Sequence, residues 1–530
     1  MFQAIWPFAA LGSLLCSRSL FHYFQLESYQ FPGFFRTLKR SPKRALLPGA
    51  LMAAVLLALR LTALGGWGGA ADHAGYLIWY ALSAAVCLAA GWLIRCRMRE
   101  KRAKKPFKLT ARVKRLYVVA SAVYLLVFWL ISHLPGGGWA VVIAPLLLPA
   151  WAALAGLCAW PVEKGISELY FRDAQKRLAS RPDLIKIGIT GSYGKTSVKF
   201  ILGTLLAEKY QVLVTPSSFN TPMGVTRVIR EQLTPSHQVF VAEMGARHVG
   251  DIKELCRLVH PRYGVLTSVG PQHLDTFHTL ERIKATKYEL MDAVPADGCC
   301  FFPDDGAICR ELYEKTAKEK RLCSLRGAPE ADVWADEITV TPEGSSFTLH
   351  TAEESVACRT RLLGEHNIQN IALAATVALR LGLTLRQIAH GVAKLTPVNH
   401  RLELIPSPGV TIIDDAFNSN PKGAEAALAV LKDFPGRRII ITPGMVELGG
   451  GEEAFNRAFG EKIAKAADVA ILVGRRHTEP IAEGLKSAGF PEDAIHPVSS
   501  LDEAAALLRS MGRPGDVALF ENDLPDNYSE

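Results

Sequence analysis

Ile185-Lys186-Ile187-Gly188-Ile189-Thr190 runs directly into Gly191-Ser192-Tyr193-Gly194-Lys195-Thr196-Ser197. A β-type run that breaks into glycines and then into a helical pattern is the setting in which backbone N–H groups and a helix N-terminus cradle phosphates. In such a loop Gly191, Ser192, Gly194 and Ser197 shape the cradle, Lys195 reaches the β- and γ-phosphates, and the Thr196 hydroxyl ligates Mg²⁺. A full Walker spacing asks for glycine at 189; this chain has Ile189 there and its glycine at 191. Three more residues of metal- or proton-handling type follow. Glu243 ends a β-type run in Val241-Ala242-Glu243-Met244-Gly245-Ala246, and His273 sits just past another in Gly270-Pro271-Gln272-His273-Leu274-Asp275. Lys287 comes fourteen residues later, in Ala285-Thr286-Lys287-Tyr288-Glu289. Singly these read as a surface acid, a core histidine and a helix lysine.

Together these segments resemble the Mur ligase family, the ATP-dependent amide ligases of peptidoglycan precursor synthesis, and within it the D-alanyl-D-alanine-adding branch. The resemblance runs over about 183–523. It implies that Thr196, Glu243 and His273 serve two Mg²⁺ ions, and that Lys287 is carbamylated so that it acts as a carboxylate near the second. Gly364-Glu365-His366-Asn367-Ile368-Gln369-Asn370 is similar to the family's segment near the adenine, with Asn367 and Asn370 opening a helix. Arg401 matches the arginine that reaches the phosphates from the start of the C-terminal domain. Asp414-Asp415-Ala416-Phe417-Asn418-Ser419-Asn420-Pro421 resembles the stretch that puts Asp415 at the ribose and Asn418 near the reaction centre. Asn220-Thr221 resembles an acceptor loop. The implied reactants are ATP, a peptidoglycan precursor carboxylate, and a dipeptide or amino-acid amine. Departures are Phe417 for a tyrosine, Ser268 for an asparagine, Thr442-Pro443 for a Gly-rich turn, and an end that lacks the usual basic segment. The family's N-terminal domain, which grips the UDP end of the substrate, has no counterpart; an apolar third stands in its place. Three rivals stay open: an amidating synthetase on a lipid-linked precursor, a poly-γ-glutamate synthase, and a transporter or scaffold that only senses ATP.

The elements that must position these residues follow from pattern. β-type runs at 185–190, 212–215, 239–243, 263–267, 411–414, 438–442, 469–473 and 517–520 alternate with helical patterns at 196–207, 251–258, 370–381, 423–431, 453–466 and 501–508, which predicts doubly wound α/β sheets. A β-rich stretch at 332–363 interrupts them, and a Pro-containing joint near 396–410 marks a boundary. The expected domains are a multispan α-helical membrane domain at 1–160, a linker helix at 161–182, a P-loop ATPase-like central domain at 183–396 and a smaller Rossmann-like α/β domain at 397–530.

The chain has 530 residues and a formal charge of +9. That charge is uneven: residues 1–160 hold 18 Lys and Arg against Glu27, Asp72 and Glu100. Basic charge confined to the apolar third points to a membrane and away from nucleic acid. Apolar stretches at 45–64, 74–94, 116–134 and 139–160 are long enough to cross a bilayer, and 2–15 is a shorter, marginal or interfacial segment. Residues 95–115 carry eleven Lys and Arg and 17–44 carry six, whereas 65–73 and 135–138 have none. The alternation predicts a bacterial cytoplasmic-membrane protein with those basic loops and all catalytic domains in the cytoplasm. Ten cysteines without a CxxC pair imply buried thiols, and no zinc.

Overall fold

The computed structural model describes residues 2–27, 29–65, 73–98, 106–217, 219–325, 327, 330–405, 407, 409–416, 420–446, 448–475 and 477–523. Its contacts divide it into two compact units, Met1–Glu168 and Leu169–Leu524.

The first unit is helical. Pro42–Leu64, Ala74–Arg97, Ala111–Ser132 and the run Gly137–Ala179 are long and apolar enough to cross a bilayer, and the four expected stretches fall on them. Leu82, Leu93 and Val118 on these helices are each more than half exposed, so the unit presents large apolar side chains on its surface. Small residues let the helices approach. A Cβ on Gly91 would lie 2.6 Å from the Gly12 carbonyl oxygen, so the helices Trp6–Cys16 and His73–Arg97 touch backbone to backbone. The short first segment is the helix Trp6–Cys16, bent by 41° from Arg18–Leu26. The expected break before a separate linker helix is absent. One helix runs Leu148–Ala179 straight through Pro161, because a proline removes one intrahelical hydrogen bond without abolishing its neighbours.

The second unit is built on two sheets. The larger takes β1 (Ile185–Thr190), β2 (Val212–Val214), β3 (Val239–Glu243), β4 (Tyr263–Leu266), β5 (Cys299–Pro303), β6 (Lys320–Leu325), β7 (Val333–Thr341), β8 (Gly344–His350) and β9 (Ser355–Thr360), in the order β2-β3-β1-β4-β5-β6-β7-β8-β9. It is parallel from β2 to β7 and antiparallel over β7-β8-β9, the β-rich stretch expected at 332–363. The smaller takes β10 (Glu403–Ile405), β11 (Val410–Asp415), β12 (Arg438–Thr442), β13 (Val469–Val473), β14 (Ile495–Val498) and β15 (Asp516–Glu521), in the order β10-β11-β15-β12-β13-β14, with β10 alone antiparallel. Helices cover both faces of the larger sheet. Cys299 and Cys300, adjacent on β5, therefore bury into two different cores, one on each face. All ten cysteines are free thiols.

Candidate active site

β1 pairs with β3 on one side and β4 on the other. The chain leaves β1 for the β2 edge, returns through β3 and then crosses to β4. A reversal of strand order of this kind opens a crevice at the carboxyl ends of the strands. The Gly191–Ser197 loop, Glu243 at the end of β3, and Thr267 and Ser268 just past β4 all converge there.

The loop is tied from the β4 side. Ser192 N donates to Ser268 O at 2.8 Å and Tyr193 N donates to Ser268 Oγ at 2.8 Å. Thr267 Oγ1 donates to Tyr193 O. A Cβ at Gly191 would lie 2.1 Å from Thr267 Oγ1, so only glycine lets the loop come this close. The Ser192 hydroxyl is committed to Gly270, donating to its O at 2.9 Å and accepting from its N at 3.0 Å. Ser192 thus clamps the loop and does not offer its hydroxyl to a phosphate. Ser268, a departure in the sequence, proves to be one of the residues that hold the loop in shape.

Gly194 (φ +79°) turns the chain into the helix Lys195–Leu206, whose first turn carries Lys195, Thr196 and Ser197. The Lys195 ammonium donates to the Gly191 and Ser192 carbonyl oxygens at 2.7 and 2.9 Å. Burial pulls it down to about 8; Glu243 opposes that pull and Arg401 adds to it. Its contacts are neutral oxygens only, so a bound polyphosphate would supply the counter-charge.

Glu243 is the hub of the site, 1% exposed. Its Oε2 accepts from Lys199 Nζ at 2.9 Å and from Thr196 Oγ1 at 3.1 Å, and its Oε1 accepts from Asn220 Nδ2 at 3.0 Å. Burial alone would raise this carboxyl, but Lys199 and Lys195 outweigh it and hold Glu243 below the usual carboxylate range, ionised. The fully buried Lys199 also donates to Ser217 O at 2.5 Å. Lys199 was not anticipated. The signal was its spacing: four residues after Lys195, it lies on the same face of the helix as the phosphate lysine.

The remaining expected residues divide. Lys287, on the helix Leu280–Ala293, is 2% exposed, and burial with Lys195 nearby drives its ammonium well below the ordinary lysine range, against the pull of Asp251 and Glu289. A neutral, buried amine is the form that reacts with CO₂ to give a carbamate. His273, at φ +52°, caps the short helix Leu274–Phe277. Arg401, between the left-handed His400 (φ +60°) and Leu402 (φ +48°), is lowered by burial and acted on by Asp415 and Glu243, so it belongs to this charge cluster. Asp415, at the end of β11, is raised to about 6 by burial, with Arg401 and the Leu402 N–H pulling the other way. Asn370 faces the loop: its Oδ1 is 3.0 Å from where a Gly194 Cβ would be. Asn367, by contrast, spends its amide on the Leu363 carbonyl at 2.9 Å, holding the start of the helix Glu365–Arg380. Asn418 lies outside the described residues.

The donor set fits a polyphosphate and a hard cation. Glu243 and Thr196 offer adjacent oxygens of the kind Mg²⁺ prefers. Among the described residues no three His, Cys, Asp or Glu side chains gather as a metal site. In the unmodified chain Glu243 is thus the principal anionic donor, and a second one has to come from modification or from substrate.

Comparison with known proteins agrees with this geometry. The Mur ligase middle domain matches residues 189–378, and the Mur ligase glutamate ligase domain matches 400–521. The UDP-N-acetylmuramoyl-tripeptide--D-alanyl-D-alanine ligase of Mycobacterium bovis is 33% identical over 359 residues, covering 63% of this chain and 69% of that protein. The chain belongs to the Mur ligase family. The enzyme of the same name from Escherichia coli is 32% identical over 303 residues, 56% of this chain and 67% of that protein. Among solved structures, MurF from Acinetobacter baumannii superposes with a TM-score of 0.61 at 27% identity, covering 68% of this chain and 78% of that one. MurF from Thermotoga maritima in complex with ADP gives 0.61 at 25% identity, covering 67% and 80%. Arg401, at the start of the second matched domain, acts electrostatically on Lys195 in the first.

Proposed function

We propose that this Mur ligase is an ATP-dependent amide-bond-forming enzyme of peptidoglycan precursor synthesis that adds D-alanyl-D-alanine to a muramoyl-tripeptide at the cytoplasmic face of the bacterial membrane. The observation that carries the reading is the convergence of Lys195, Glu243, Lys287, Arg401 and Asp415 on one crevice in a chain 33% identical to ligases of that name.

The chemistry takes two steps. A precursor carboxylate oxygen attacks the γ-phosphorus of ATP and ADP leaves, giving an acyl phosphate. The dipeptide amine then attacks the acyl carbon, loses a proton and expels inorganic phosphate, leaving the amide. Negative charge accumulates at the transferred phosphoryl in the first step and at the acyl oxygens in the second. The residues therefore act by positioning and electrostatics. Lys195 neutralises the β- and γ-phosphates, Arg401 adds charge from the C-terminal domain, and Asp415 orients the nucleotide. Glu243, Thr196, His273 and a carbamylated Lys287 would hold Mg²⁺ ions, whose role when bound is to neutralise phosphate charge.

Two features favour a lipid-linked over a UDP-linked precursor: four helices apolar enough to cross a bilayer, and basic segments that alternate with neutral ones. Substrate held at the membrane surface needs less grip from the protein than a soluble one, because confinement supplies effective concentration. The test uses the full chain in detergent with ATP, Mg²⁺ and D-Ala-D-Ala. Faster turnover of lipid-linked than UDP-linked tripeptide is expected; the reverse order removes the lipid version, and turnover of neither removes stem-peptide chemistry. Orientation is tested by Glu100→Cys, which should label only after the cells are permeabilised.

A further inference from the structure

At one end of the first unit, three helix termini meet. Arg18 opens the helix Arg18–Leu26, Arg95 lies near the end of His73–Arg97, and Tyr117 stands in the second turn of Ala111–Ser132. The Phe21 ring packs edge-on against Tyr117 with centroids 4.8 Å apart, and Arg18 Cζ sits 5.0 Å over the Phe107 ring. Gln25 locks the approach to the third helix, bonding the Lys108 backbone at both its N–H and its carbonyl. Both Arg18 and Arg95 act electrostatically on the Tyr117 phenol.

Two donors here are left over. Tyr117 Oη and Arg95 Nε are buried and have no hydrogen-bond partner. Buried donors of this kind are seldom left unsatisfied, and each asks for a partner from outside the chain. Nearby Arg115 shows what a satisfied case looks like: its Nε and Nη2 donate to the two Glu163 carboxylate oxygens at 2.5 and 2.9 Å. Arg95 has no such carboxylate among the described residues; Glu27, the one described acid before residue 161, accepts from Thr37. The flanking surface is apolar. Trp92 is 52% exposed, Leu93 61% and Val118 71%, next to Arg95 and Tyr117 on their own helices. A ligand that satisfies both features has a phosphate at one end and hydrocarbon at the other.

We propose that Arg95 and Tyr117, with Arg18, form a binding site for the phosphate of an anionic membrane lipid. The site rests on the reading of these helices as membrane spans. A guanidinium donates charge-assisted bonds to phosphate oxygens, the phenol donates a third, and the acyl chain covers the exposed Trp92, Leu93 and Val118. A lipid-linked precursor carries the same chemistry.

The full chain is purified in non-ionic detergent, stripped of lipid, and titrated with phosphatidylglycerol, with phosphatidylcholine and with inorganic phosphate, following thermal stability and, by native mass spectrometry, retained lipid. Phosphatidylglycerol should bind about ten-fold more tightly than phosphatidylcholine, and both Arg95→Gln and Tyr117→Phe should lose most of that preference. Lys114→Gln removes an exposed charge at the same end of the Tyr117 helix and should leave the preference intact. Tyr117→Phe keeps the ring packing, so its loss is not a folding defect. Equal binding of the two lipids overturns the site, and so does an equal loss in Lys114→Gln. Phosphate competing as well as the lipid makes it a free-anion site and overturns the lipid assignment. Extraction of membranes with alkaline carbonate is the separate control. A chain that stays in the pellet but shows no lipid preference refutes the site alone, whereas a chain that is washed out refutes the membrane reading.

Discussion

The two halves of the catalytic crevice are held in different ways. The half on the larger sheet is tied inside one framework. Glu243 is gripped by Lys199, Thr196 and Asn220, and the phosphate loop is strapped to Ser268 and Gly270. The half that precedes the smaller sheet hangs on a strained joint: Arg401 lies between two non-glycine residues at positive φ, His400 and Leu402. Such backbone costs about 1–3 kcal/mol per residue and persists only where surroundings over-determine it. Here His400 Nδ1 meets Asp414 Oδ2 at 2.7 Å and Leu402 N donates to Asp415 Oδ1 at 3.3 Å. A preorganised half and a strained half suit a ligase that must close on its nucleotide and release it again. Breaking the first should cost chemistry; changing the second should tune it.

The largest effect is expected at Lys195, a cation whose hydrogen bonds go to the phosphate loop's own carbonyls. Lys195→Met should lower kcat by about 10³-fold or more, since a charge aimed at the developing phosphoryl charge acts chiefly in the transition state. Measured ATP affinity separates the terms: a loss confined to KM would mean that Lys195 only binds. Next comes Lys287. Lys287→Ala should lose nearly all activity and regain part of it with added short carboxylates, which can stand in for a carbamate. An active, unrescued alanine variant would remove the carbamate from the site. A carbamate on Lys287 would make activity depend on CO₂, so exhaustively degassed enzyme should start slowly.

Much of this frame was legible in the chain. β1, β3, β12 and β13 have the expected limits to the residue: β1, β12 and β13 are short β-branched runs bounded by glycine, proline or charge, and β3 ends on the charge of Glu243. β5 escaped notice because Cys299-Cys300-Phe301-Phe302-Pro303 is buried on both faces and so has no alternation to read. The helix Pro222–Glu231 escaped because its start is set by Thr221 Oγ1 accepting from Gly224 N, a cap in a stretch otherwise read as an acceptor loop. Motif spacing named the residues expected at nucleotide and cation. It did not show that Ser192 and Asn367 spend their side chains on the backbone, or that Lys199 and Asn220 orient Glu243. Those are facts of tertiary pairing: they appear only once β3 lies beside β1.

Lys199 sharpens the comparison at intermediate size. Its pairing with Glu243 is wholly buried, at 0% and 1% side-chain exposure. Removing one member of such a pair costs about 3–5 kcal/mol, because the other charge is left uncompensated. Lys199→Met, which keeps the stem volume, should therefore lower the melting temperature of the cation-free protein. Added Mg²⁺ should recover more stability in the variant than in the wild type, since Lys199 no longer competes with it for Glu243 Oε2. Equal recovery in both would mean that Lys199 is packing and not a counter-ion.

The smallest effect belongs to the strained half and is a matter of pH. Asp415 has its folded-state value raised from 3.8 to about 6 by burial. A carboxyl raised on folding binds its proton more tightly in the native state, so its contribution to stability is full below 3.8 and is lost as pH rises through about 6. Above that range the nucleotide-free enzyme carries a buried Asp415 charge that Arg401 compensates only in part. Asp415→Asn is a permanent copy of the protonated form. The two proteins should therefore melt together near pH 4, and Asn should become the more stable one as pH rises towards 7.5, by no more than a few kcal/mol. Saturating ATP and Mg²⁺ should narrow the gap, because the ribose contact proposed for Asp415 would give the carboxylate a further donor. A constant difference at every pH would mean that Asp415 is ionised throughout and already fully paired with Arg401, and the joint at His400–Leu402 would then be as preorganised as the phosphate loop.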